Sequence, residues 1–186
     1  MAALRGKEDE IMNITLIGMP GSGKSTVGVL LAKRLGLSFI DTDLLIQKQE
    51  SRLLKEIIAQ EGLEGFLKIE NQVNRDLQAD QAVIAPGGSV VYGREAMEHL
   101  KEISTLVYLK LSCEQLEARL GNLQDRGVAL KDGMTLQDLY DERVPLYEKY
   151  ADLTVDETGR DAGAIVDVLR DYFEKQMCQT PDEAMK

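Results

Sequence analysis

The 186-residue sequence has two cysteines, one histidine and no apolar run approaching the ~18 residues that a membrane span needs. Cys113 and Cys178 stand far apart and without metal-ligand spacing, so they offer no disulfide framework and suit a reducing cytoplasm. His99 lies in a charged, helical-looking stretch and reads as part of a solvated face. The first ten residues lack the apolar core of a secretory signal, so a short leader is expected there. Basic residues are also scarce: 22 against 32 acidic ones, a formal net charge of -10. That balance removes the broad basic field that nucleic acid or an anionic membrane surface demands, so anionic ligands must be met by local clusters. The expectation is one soluble, cytoplasmic, monomeric domain over 1–186 with its core at 13–176 and a small molecule as partner.

What is present is an alternation of short apolar runs with helical patterns, which predicts a parallel sheet wrapped by helices. Strands are expected at 14–17, around Phe39 and Ile40, at 82–85, at 105–111 and at 153–155. A helix carrying Val27, Leu30, Leu31 and Leu35 should end at Gly36. The stretch 44–80 is helical in pattern, punctuated by Gly62 and Gly65. Cys113, Leu116 and Leu120 suggest a helix, and 121–133 has the mixed composition of a mobile lid. Leu136, Leu139, Tyr140 and Val144 mark another helix, with an interruption expected at Pro145. The last helix should bury Ile165, Val168, Leu169, Tyr172 and Phe173.

Residues 18–25 read Gly-Met-Pro-Gly-Ser-Gly-Lys-Ser between a strand and a helix. Polyphosphate needs many donors converging without side chains in the way, and a glycine-rich loop opening a helix supplies them. Gly21, Ser22 and Gly23 provide backbone N–H groups, Lys24 is placed for the β- and γ-phosphates, Ser25 for Mg2+, and Thr26 lies beside it. A chance match in a chain this long is on the order of 1%, so the donor is expected to be Mg-ATP.

Such a loop does not by itself distinguish a kinase from a switch. Asp41 and Asp43 follow the second strand, at the sheet edge where open α/β folds bind ligands. At i and i+2 on an extended chain they would point the same way, Asp41 toward Mg2+ and Asp43 toward an acceptor hydroxyl. Asp43 reads equally well as the N-cap of a helix beginning at Leu44. Phosphoryl transfer also profits from a cation on a closing loop, a description that Arg126 fits, with Arg119 one turn before that loop.

Together, the phosphate loop through Thr26, Asp41-Thr-Asp43, Glu61-Gly-Leu-Glu-Gly-Phe66, Gly87-Gly88, Val107-Tyr-Leu109 and Arg143-Val-Pro-Leu-Tyr147 resemble the shikimate kinase family over about 13–173. The resemblance implies a three-layer α/β P-loop fold, a five-stranded parallel sheet in the order 2-3-1-4-5 with helices on both faces, and a lid. It implies ATP-dependent phosphorylation of a shikimate hydroxyl, with 44–80 as the acceptor-binding segment. Asp43 would be base and hydroxyl ligand, Arg143 would pair with the carboxylate, and Gly87 and Gly88 would line the floor. Arg126 would be the lid arginine and Arg119 would border the adenine. Two positions depart from the family. Leu67 stands where an arginine usually follows the phenylalanine, and Pro86 replaces the first of three glycines. Both lie on the acceptor side, which leaves a different small hydroxy acid or polyol, or an ATP-binding regulatory role, as alternatives.

Overall fold

The computed structural model describes residues 12–120 and 133–178. The leader, the tail from 179, and nearly all of the expected lid, Arg126 included, lie outside the described residues. Five strands, β1 (Ile14–Ile17), β2 (Ser38–Asp41), β3 (Ala82–Ala85), β4 (Thr105–Lys110) and β5 (Leu153–Asp156), form one sheet in the order β2-β3-β1-β4-β5. Every pairing is parallel, as expected from the alternating pattern.

Both faces of this sheet are covered, which explains why the central strands read as continuous apolar runs. Ile14, Leu16, Val107 and Leu109 face α1 (Lys24–Leu35) and α7 (Ala162–Cys178), meeting Val27, Leu31, Leu169 and Phe173. Their neighbours in the period-2 alternation, Ile17, Leu106 and Tyr108, face α4 (Arg94–Ile103) and α6 (Leu136–Tyr150). A third, smaller cluster of Ile46, Ile57, Phe66 and Val73 joins α2 (Thr42–Glu50) to α3 (Leu54–Arg75). α5 (Cys113–Leu120) sets Leu116 into the core beneath β4.

At the lower rim, where the strands begin, one side chain ties three elements. Asn13 donates to the carbonyls of Ala79 and Ile103 and accepts from the N–H of Ala82. A buried amide with all these bonds made stabilises the junction, whereas an apolar replacement would orphan three backbone groups.

Several local expectations change. The region 44–80 is two helices, separated at Ser51 in the left-handed conformation, and α3 itself kinks at Gly62, while Gly65 stays helical. Arg52 fastens this break by pairing with Glu50 and Glu61. α6 runs unbroken through Pro145, which is exposed, while Leu136, Leu139, Arg143 and Tyr147 share the buried face. The packing of that face outweighs the ~3 kcal/mol that an internal proline costs. Val168 is exposed, and Val166 takes its place inside. His99 is half-buried, its Nε2 2.7 Å from the carbonyl of Leu77. Gly36 caps α1 in the left-handed conformation, as expected.

Candidate active site

The upper rim of the sheet opens into a cavity of about 640 Å3. Its middle is residues 20–27, the loop between β1 and α1. Gly23 sits at φ 88, ψ 12, a conformation that costs any residue with a side chain, and it turns the loop into the first turn of α1. The helix N-terminus and its unpaired N–H groups therefore face the cavity. Lys24 is nearly fully buried, and its Nζ donates to the carbonyls of Gly18 (2.9 Å) and Met19 (3.0 Å). Loss of hydration on burial lowers its pKa to about 8, against the attraction of Asp43, while Arg143 pushes in the same direction as burial.

Parallel register places Asp41 of β2 beside Ala85 of β3, so the residues following each strand converge over the loop. Here the structure corrects the sequence reading. Asp41, not Asp43, is the N-cap: its Oδ1 accepts from the N–H groups of Asp43 and Leu44, and the helix starts at Thr42. Asp43 lies within the first helical turn and not on an extended chain, so the i, i+2 alternation of a strand does not relate the two carboxylates. The other oxygen of Asp41 accepts from Ser25 Oγ at 3.1 Å. Asp43 instead lines the cavity, with Oδ1 buried and without a hydrogen-bond partner. Burial and the neighbouring Asp41 charge raise its pKa to about 6, with Lys24 opposing.

The segment expected to bind an acceptor contributes Leu54, Phe66 and Glu70 to the wall. Glu70 is buried, and its Oε1 also lacks a partner. Burial raises its pKa to about 7, a hydrogen bond from Ser89 and the Arg143 charge opposing, and Asp43 adding to the rise. Gly87 shows how tightly these groups meet: a Cβ there would lie 2.5 Å from Glu70 Oε1 and 2.8 Å from Asp43 Oδ1. A larger residue would fit there only if both carboxylate ends moved aside. Pro86 and Gly88 line the same floor, whereas Leu67 lies beside Tyr92 in a shallower surface cleft.

Arg143 is 1% exposed yet reaches the cavity wall from α6. Its Nε donates to the Tyr92 hydroxyl at 3.0 Å, and its guanidinium lies 5.0 Å from the centre of that ring. Tyr147 also hydrogen-bonds Arg143 and donates its own O–H to the carbonyl of Gly88. At the opposite end, past the loop, Arg119 pairs with the buried Glu157 at 2.9 Å near Ala162 and Ile165.

The structure thus brings together Gly21, Ser22, Gly23, Lys24, Ser25, Thr26, Asp43, Gly87, Gly88, Arg119 and Arg143 on one cavity, with Asp41 reached through Ser25. Sequence reasoning missed Glu70, Tyr92, Tyr147 and Glu157 as parts of the site. One signal was present: Glu70 follows Phe66 by four residues and so shares its buried face.

A family model described as shikimate kinase matches residues 20–174. A shikimate kinase from Moorella thermoacetica is 38% identical over 162 residues, which is 86% of this chain and 92% of that protein. Among solved structures, a shikimate kinase from Acinetobacter baumannii in complex with shikimate is 29% identical, with a TM-score of 0.81. That match covers 90% of this chain and 96% of the other. One from Aquifex aeolicus is 30% identical with a TM-score of 0.77, covering 89% and 98% respectively.

Proposed function

Because the chain belongs to the shikimate kinase family, we propose that it transfers the γ-phosphoryl group of ATP to a hydroxyl of shikimate, giving shikimate 3-phosphate and ADP. The observation that carries this reading is the placing of Asp43 and Arg143 on the same cavity as the phosphate loop. That arrangement holds a hydroxyl and a carboxylate of one small molecule while the donor lies between them and Arg119. A regulatory ATP-binding protein has no use for a buried base and a buried carboxylate partner on the same cavity as its phosphate loop.

Asp43 accepts the proton of the acceptor hydroxyl, whose oxygen attacks the γ-phosphorus as the bond to the bridging oxygen of ADP breaks. Lys24 exchanges its carbonyl partners for phosphate oxygens and offsets charge on the transferring group. Arg143 holds the acceptor carboxylate, and Gly87 and Gly88 let the ring approach the backbone. Arg119 borders the adenine, and Arg126 serves as lid arginine. Ser25 and Asp41 fit Mg2+: a hydroxyl and a carboxylate oxygen stand 3.1 Å apart, and Mg2+ is usually held by few protein oxygens with phosphates and waters completing its shell. Ser25 and Asp41 would hold such an ion, which would supply neutralisation of phosphate charge. We read the protein as a monomeric single domain acting in the cytoplasm; no described helix is long and apolar enough to cross a membrane.

Purified protein with Mg-ATP should release ADP in proportion to shikimate in a coupled assay. No release above background with shikimate at millimolar levels, together with release on another hydroxy acid or polyol, would move the assignment to that acceptor.

A further inference from the structure

Arg143 does not stand alone at the acceptor end. Tyr92, from the 3-10 turn Val90–Tyr92, touches it in two ways at once, through its hydroxyl at 3.0 Å from Nε and through its ring face at 5.0 Å. The phenol is itself oriented. It hydrogen-bonds Glu142 as well as Arg143, and a carboxylate can only accept, so the Tyr92 O–H points to Glu142 and its lone pair is turned to the guanidinium. Tyr147 repeats the pattern, giving its proton to Gly88 and accepting from Arg143. Tyr92 is half-buried and lines the outer cleft together with Leu67, Lys68 and Arg94.

We infer that Tyr92 is a positioning residue for acceptor recognition: it fixes the plane and direction in which the Arg143 guanidinium meets the acceptor carboxylate. The inference rests on the acceptor reading given above. A guanidinium is a planar fork whose usefulness depends on orientation, and a buried one held by an aromatic face and a polarised oxygen loses little further freedom on binding. The effect is therefore confined to acceptors that carry an anion where Arg143 waits. Neither the ATP side nor the phosphoryl-transfer step draws on it.

The test compares wild type with Tyr92→Phe and Tyr92→Leu, using shikimate and its methyl ester as acceptors, and measures shikimate binding by calorimetry. Tyr92→Phe should raise KM for shikimate about tenfold, the worth of one hydrogen bond to a charged group, with kcat and KM for ATP unchanged. The preference for shikimate over the ester should shrink by the same factor, and Tyr92→Leu should lose more. In an Arg143→Lys background Tyr92→Phe should add nothing. Equal losses on both acceptors, a shifted KM for ATP or an unchanged KM for shikimate would overturn the inference. If wild type does not turn over shikimate, the proposed function falls. In that case weaker shikimate binding by Tyr92→Phe still sustains the role of Tyr92, and binding that is unchanged, or absent in wild type, removes it.

Discussion

Asp43 and Glu70 turn unpartnered carboxylate oxygens toward the same glycine, Gly87, from two different helices. Two buried carboxylates facing one point resist being charged together: burial is the main cause of the raised pKa of each, the Asp43 charge adding to the rise at Glu70 and the Asp41 charge to the rise at Asp43. An acceptor hydroxyl placed there gives its hydrogen to one of them, so a polar ligand relieves what burial imposes.

Asp43→Asn should lower kcat about 10²- to 10⁴-fold, the usual share of a general base, and leave ATP affinity nearly unchanged. Steady-state kinetics paired with nucleotide-binding measurements will check this. Equal losses in both would assign Asp43 to the nucleotide instead.

The pH profile of kcat/KM for the acceptor should be bell-shaped. Asp43 must be anionic to take a proton, so activity rises as pH climbs through about 6. Lys24 must be cationic to meet phosphate, so activity falls as pH passes about 8. A flat profile from pH 5 to 9, a range that reaches about one unit beyond each of those values, would contradict both assignments.

Stability should respond to Glu70 in the opposite sense from an ordinary surface carboxylate. Its folded pKa is about 7 against the usual 4.5, so across that window the folded chain keeps a proton that the unfolded chain has lost. Stability conferred by that proton is therefore lost as pH rises from 4.5 to about 7. Glu70→Gln should raise Tm at pH 8 by about 2–6 °C and leave it unaltered near pH 4. Scanning calorimetry at the two pH values decides the matter.

Gly87→Ala should cost about a hundredfold in kcat/KM, because the added methyl collides with both carboxylates and displaces them by a fraction of an ångström or more. Circular dichroism should show the fold intact. Retained activity would mean that Asp43 and Glu70 shift without consequence.

Leu67→Arg should lower KM for shikimate about tenfold by adding a second charged donor toward the carboxylate. Leu67 lies with Tyr92 in the outer cleft, so an unchanged KM would mean that Tyr92 bars an arginine at 67 from the cavity.

The parts of the molecule legible in the sequence are those set by neighbours along the chain. The loop from Gly18 to Ser25 carries its own geometry, and the sheet order followed from recognised motifs spread over several strands. Asp43 was placed in the site, but through a wrong local geometry. With aspartates at both 41 and 43, sequence does not decide which one caps the helix, and a shift of two residues in the helix start, from Leu44 to Thr42, turns the second from an extended chain end into a helical turn. Glu70, Tyr92 and Glu157 were invisible for a different reason. Each looks like an ordinary surface residue of a helix or loop until distant elements close over it, and the contact of Tyr92 with Arg143 spans 51 positions. The break at Ser51 and the continuity through Pro145 likewise depend on packing across helices, which no local pattern encodes.

Asn13 clamps the strands at the rim farthest from every group discussed as functional. The two rims can therefore change independently over evolution. Substitutions around Asn13 would be felt as melting temperature with little trace in kinetics, while the acceptor floor at Pro86 and the wall at Leu67 can drift without loosening the framework that carries them. A scaffold partitioned in this way can try a new acceptor while it still folds around the old one.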